Sequence, residues 1–90
     1  MNISIAHPTD RPNFTEVRLG ELTLYFSYRT VVGFHTYQDG NVVRENDWGP
    51  TTGKHLKYID NGRKSERISG ELFEQRLEAA CLRLGTPVPA

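Results

Sequence analysis

The amino-acid sequence predicts an α+β domain: an antiparallel β-sheet of four to six strands, a meander with two tight hairpins, packed against one C-terminal α-helix. Three observations carry this. Apolar and polar residues alternate with a period of two through much of residues 14–45, Asp39-Gly40 and Asn61-Gly62 are strong hairpin dipeptides, and the period lengthens to that of a helix from Ser69 onward.

Taken in order, residues 14–19 alternate as a strand and turn at Gly20-Glu21. Residues 21–28 continue the pattern, with Leu22, Leu24, Phe26 and Tyr28 on one face and Thr23, Tyr25 and Ser27 on the other. Residues 31–37 and 41–45 are rich in β-branched and aromatic side chains around Asp39-Gly40. A two-residue type I′ loop there sets Tyr37 opposite Val42 and His35 opposite Arg44. Residues 46–53 read as a structured loop, since Trp48-Gly49-Pro50-Thr51-Thr52-Gly53 packs two glycines and a proline into six positions. A second hairpin is expected from 55–59 and 64–68 around Asp60-Asn61-Gly62-Arg63, with a short helical turn over 54–60 as the alternative.

Ser69 then offers a hydroxyl to the first free amides of a helix, Glu71 suits its positive end, and Gly85 followed by Pro87 stops it. Phe73, Leu77, Ala80, Cys81 and Leu84 form one apolar stripe for the sheet, opposite Glu71, Gln75 and Glu78, among which Leu82 is the odd residue. The whole is one domain over 1–90, with 1–13 and 85–90 as peripheral or flexible ends.

Composition bounds the function. The 90 residues hold 11 basic and 11 acidic side chains, so no whole-molecule charge draws the chain to nucleic acid or an anionic membrane, and such binding must be local. At 37% hydrophobic and 24% charged, the chain is ordinary globular material. Residues 1–6 are too short for an export signal core, and no stretch approaches the roughly 20 apolar residues of a membrane span, so no membrane role is expected. Cys81 is the one cysteine, which excludes an intrachain disulfide and any multi-cysteine zinc site. Its place on the helix stripe makes it a buried thiol, not a nucleophile.

Catalytic patterns are missing from the sequence. Gly53-Lys54 after Thr51-Thr52 has neither the glycine spacing nor the hydroxyl of a phosphate loop. His7, His35 and His55 show no metal-ligand spacing, so no metal and no cofactor are expected. A pocket around His35, Arg44 and His55 is a minor alternative, and an enzyme is disfavoured. The remaining signal is charge: residues 51–67 hold Lys54, Lys57, Arg63, Lys64 and Arg67 against Asp60 and Glu66, with Trp48, His55 and Tyr58 interleaved.

Leu24-Tyr25-Phe26-Ser27-Tyr28-Arg29, Val42-Val43-Arg44-Glu45-Asn46-Asp47-Trp48, and Thr51-Thr52-Gly53-Lys54-His55-Leu56 together resemble a small uncharacterised domain encoded by bacteriophages and mobile elements. The Tyr-Phe-Ser-Tyr and Trp-x-x-Thr-Thr-Gly-Lys-His-Leu segments are its most specific parts. The resemblance implies a phage or mobile-element source and action in the host cytoplasm, and carries over no catalytic or binding residue.

The leading expectation is therefore a non-enzymatic accessory protein that binds a host or phage protein through loop 48–55, the 60–64 hairpin or a sheet edge. The alternative is a nucleic-acid binder using the basic 51–67 segment with Trp48. The candidate interaction residues are Trp48, Thr51, Thr52, Lys54, His55, Lys57, Arg63 and Lys64. A homodimer is a further expectation, because a chain of this size leaves much apolar surface uncovered.

Overall fold

In the computed structural model, residues 3–7 and 12–87 are described. Five strands, β1 (Ile3–Ala6), β2 (Phe14–Leu19), β3 (Leu22–Ser27), β4 (Thr30–Thr36) and β5 (Gly40–Val43), form one antiparallel sheet in chain order. Helix α1 (Pro50–Asp60) and helix α2 (Gly70–Leu84) follow, separated by a single 3₁₀ turn at Lys64–Glu66. The expected fold class holds: an antiparallel meander with a C-terminal helix.

The strand period does more than expected, because both faces of the sheet are covered. Leu22, Leu24, Phe34 and Val42 meet Phe73, Leu77, Ala80 and Cys81 of α2. Phe14, Val32 and Val43, with Tyr25 beside them, meet Leu56 and Ile59 of α1. Neighbours in one strand, such as Val42 and Val43, thus serve opposite cores, as successive side chains on a pleated strand must. Tyr25 and Ser27 lie on the α1 face. A bulge opposite Tyr25 and Phe26, where Gly33 and Val31 are the partners and Val32 is the additional residue, keeps both faces filled.

Three local readings are corrected. The β4–β5 connection is a three-residue loop, Tyr37-Gln38-Asp39, with Gly40 at φ 68°. Phe34 therefore faces Val42 and His35 faces Asn41, three residues out of the I′ register. The cause is Thr36: its hydroxyl donates to the Asp39 carboxylate at 2.6 Å and accepts from the Asp39 N–H at 2.9 Å, closing the loop two residues earlier on the β4 side and one earlier on the β5 side.

Residues 50–60 are a helix, not the tail of a loop followed by a strand. Pro50 occupies the first helical position, where its missing N–H costs nothing, and Gly49 stands outside as the cap. Asn61 at φ 59° and Gly62 at φ 82° then end the helix in left-handed backbone, so no 60–64 hairpin forms. Downstream, residues 64–68 are no strand: after the 3₁₀ turn, only Ile68 touches the sheet, in a parallel bridge to Arg44.

Helix α2 follows its sequence signals. The Ser69 hydroxyl accepts from the Leu72 N–H at 3.2 Å, Gly85 at φ 68° closes the far end, and Leu82 is left exposed.

Candidate functional site

The basic segment becomes a surface through helix geometry. Thr52, His55, Leu56 and Ile59 recur at i, i+3, i+4 and i+7 and bury one face of α1 on the sheet. Thr51, Lys54 and Lys57 consequently face outward, as does half-exposed Tyr58. Past the helix end, Arg63 and Lys64 are also exposed.

Ion pairing then divides these bases. Arg67 folds back on Asp60, with Nε to Oδ2 at 2.7 Å and Nη2 to Oδ1 at 3.1 Å, both side chains more than nine-tenths buried. Burial raises the Asp60 carboxyl, but Arg67 and the Gly62 N–H outweigh it and hold the group below the usual carboxylate range. Arg63 reaches Glu66 at 3.9 Å. Among the described residues no carboxylate pairs with Lys54, Lys57 or Lys64, and these three line one groove of about 630 Å³ with Pro50, Gly53 and Glu45. Lys54 and Lys57 also border a second groove of about 690 Å³ beside Pro12, Thr51 and Tyr58. The two lysines stand on the ridge between the grooves.

The other candidates gather at the opposite end of α1. Trp48 is 48% exposed and carries the Arg44 guanidinium over its ring, 4.8 Å from the centroid. Tyr28 opens the two-residue β3–β4 turn at φ 56°, a strained value for an aromatic residue, and its N–H donates to the Asn13 carbonyl at 2.7 Å. Trp48 and Tyr28 wall a cleft of about 250 Å³, to which Ser27, Thr30, Val32 and Thr52 also contribute.

Behind the cleft runs a buried polar chain that sequence reasoning missed. Ser27 Oγ lies 2.7 Å from His55 Nδ1 and 3.0 Å from Thr52 Oγ1, and His55 Nε2 lies 3.0 Å from the Pro12 carbonyl oxygen. A carbonyl can only accept, so Nε2 carries a proton and donates to Pro12, and in the Nε2–H tautomer Nδ1 is the acceptor. Ser27 must then give its one proton to Nδ1, and Thr52 must give its own to Ser27. Ser27 and His55 have the separation of a nucleophile and its base, yet both are about 3% exposed and a main-chain carbonyl, not a carboxylate, orients the ring. The contact ties α1 to the end of β3 and to the segment entering β2. Tyr25 and Ser27 on one strand face, with Thr52 and His55 one helical turn apart, are the sequence signals that locate it.

Of the eight candidates, Thr51, Lys54, Lys57, Arg63 and Lys64 lie on the outer surface around α1, Trp48 stands half-exposed at its start, and Thr52 and His55 turn inward. The His35, Arg44 and His55 pocket does not form. His35 donates from Nδ1 to Asn41 Oδ1 at 3.0 Å, Arg44 lies against Trp48 and Phe73 with Asp47 and Glu74, and His55 is held by Ser27 and Pro12. Among the described residues no cluster of metal-ligating side chains occurs, and no helix is long and apolar enough to cross a membrane.

Comparison with curated proteins and with solved structures finds no match. A family model described only as a family of unknown function, DUF8033, matches residues 4–75, from within β1 into α2 and through every residue of the two grooves and the cleft. The chain belongs to that family of unknown function.

Proposed function

We propose that the chain is a non-enzymatic nucleic-acid-binding protein that contacts the phosphate backbone through the outer face of α1. One observation carries this reading: Lys54, Lys57 and Lys64, none paired with a carboxylate among the described residues, converge on one groove in a chain with no net charge. Most other described basic side chains are engaged, Arg83 and Arg76 with Asp39, Arg44 with Asp47, and Arg18 with Glu16, while exposed Arg29 stands apart from the groove. Three free ammonium groups along a groove form a local electrostatic footprint of the kind that tracks phosphates and releases counterions. The resemblance to a domain of bacteriophages and mobile elements supports such a source for the chain and action in the host cytoplasm.

The test is fluorescence anisotropy of labelled single-stranded DNA, duplex DNA and RNA at two salt concentrations. Binding should weaken steeply with salt, and Lys54→Ala should lower the slope of log affinity against log salt by about 0.7 for a single strand. Absence of binding at tens of micromolar in low salt rejects the reading.

A second reading, a host or phage protein as partner, rests on β1. Nothing among the described residues pairs with its outer edge, and Ile3 and Ile5 are more than half exposed beside Leu19 and Val17. An added strand from a partner, or from a second copy, would satisfy this edge. Affinity capture with Ile5→Lys alongside wild type tests it, since a lysine on an edge strand blocks strand addition.

A further inference from the structure

We propose that the cleft walled by Trp48 and Tyr28 is a base-binding subsite that takes one amino-bearing nucleobase, adenine, cytosine or guanine, in preference to thymine or uracil, from a single strand whose phosphates lie on α1. The inference rests on the nucleic-acid reading and deepens it.

The size of the cleft, about 250 Å³, is below the range of about 300–1,000 Å³ that holds drug-sized ligands, and suits one planar ring. Its walls are aromatic. Arg44 stacked on Trp48 holds the indole in place, and the left-handed backbone of Tyr28, pinned by the Asn13 carbonyl, keeps the phenol ring at the rim, 6.2 Å from the His55 ring. Stacking on such side chains is the sequence-tolerant part of single-strand recognition.

The floor supplies selectivity, through the proton directions that the Nε2–H tautomer of His55 sets. Pro12 accepts from His55, His55 accepts from Ser27, and Ser27 accepts from Thr52. The chain ends at Thr52, whose only proton is spent, so Thr52 Oγ1 presents lone pairs and no donor. A ring entering over it must bring an N–H. Adenine, cytosine and guanine carry amino groups at the ring edge. Thymine and uracil place their one N–H between two carbonyl oxygens, which would bring acceptors against an acceptor.

Both arms are read in one experiment. Trp48 is the chain's one tryptophan, so its fluorescence reports the cleft, while anisotropy of labelled dA10, dC10 and dT10 reports total binding. Stacking should quench Trp48 with dA10 and dC10, and these should bind about three- to tenfold more tightly than dT10, the worth of one hydrogen bond. Thr52→Val should erase that preference and Thr52→Ser should keep it. Lys54→Ala should weaken all three alike and leave the preference intact. Salt-sensitive, lysine-dependent binding that is blind to the base and leaves Trp48 unquenched overturns the subsite and spares the α1 reading. No binding of any oligonucleotide overturns both. The wild-type ranking decides the question even if Thr52→Val fails to fold.

Discussion

His55 shows how one residue type acquires its role from its surroundings. On α1 it is the position at which a helix, a strand and an incoming segment are joined by hydrogen bonds, the one to Ser27 buried and the one to Pro12 at the border with solvent. Removing the ring leaves the buried Ser27 hydroxyl without its acceptor, at about 1–3 kcal/mol, and opens a hole beside Phe14, whose ring centroid lies 5.3 Å from that of His55. His55→Ala should therefore lower the urea midpoint well beyond Ser27→Ala, which leaves a ring nitrogen and the Thr52 hydroxyl to be resatisfied. Equal losses would show that the ring matters only through its bond to Ser27. Asp60 and Arg67 make the comparable ionic case. Folding lowers the Asp60 pKa, so its contribution is present above the ordinary carboxylate range near pH 4 and is lost as pH falls through the folded value. Asp39, lowered by the Thr36 hydroxyl and by Arg83, acts in the same direction. Arg67→Met, which leaves the Asp60 carboxylate buried without its countercharge and with the Gly62 N–H as its remaining donor, should cost about 3–5 kcal/mol at pH 7. The loss should shrink as pH falls and Asp60 takes up a proton, and urea titrations at pH 7 and in acid check this.

At the scale of elements, the strands and α2 were legible because period and punctuation agree there. Leu22, Leu24 and Phe26 alternate with Thr23 and Tyr25, and Ser69 and Gly85 bracket an apolar stripe that no strand would produce. Helix α1 was legible only as the alternative helical turn over 54–60, because its punctuation is ambiguous. Asn61-Gly62 favours positive φ, which both a hairpin turn and a helix C-terminus require, and Pro50 opens helices as readily as it breaks them. The spacing of Thr52, His55, Leu56 and Ile59 decided the outcome, but two of its four members are polar and enter the interior through their bonds to Ser27 and, for His55, to Pro12. The grooves were half visible for the same reason: the excess of bases was countable, whereas their gathering on one side required the helix. The entry to α2 carries its own prediction. The Arg44 guanidinium, held between Trp48 and Phe73, packs so closely on Gly70 that a Cβ there would collide with it. Gly70→Ala should displace Arg44, free the indole and shift Trp48 emission, although alanine is the better helix former. Unchanged emission would show that the guanidinium moves aside without disturbing the ring.

For the whole molecule, the consequential feature is that one sheet serves two cores. Each strand residue commits to a face, so the α1 core around Leu56 and Ile59 and the α2 core around Phe73 and Leu77 share the backbone of β3, β4 and β5 and almost no side chains. Shared backbone makes unfolding one event: a sheet of this length loses its packing on one side if the other side opens, and domains of this size unfold in one step. Separate side chains make the energies independent, because residues on opposite faces have no common partner through which to couple. Ile59→Val should therefore cost about 0.5–1.5 kcal/mol and Leu77→Ala about 2–5 kcal/mol. The double variant should lose their sum to within about 0.5 kcal/mol. Trp48 emission, which reads the end of α1, and far-ultraviolet dichroism, which reads both helices, should trace the same transition in all four proteins. Two transitions would mean that α1 with its lysines can leave the sheet while α2 stays. The binding surface would then be a detachable element, and oligonucleotide should shift only the transition seen at Trp48. A single transition that moves as a whole on adding oligonucleotide means that a ligand held on α1 stabilises the entire chain through the sheet.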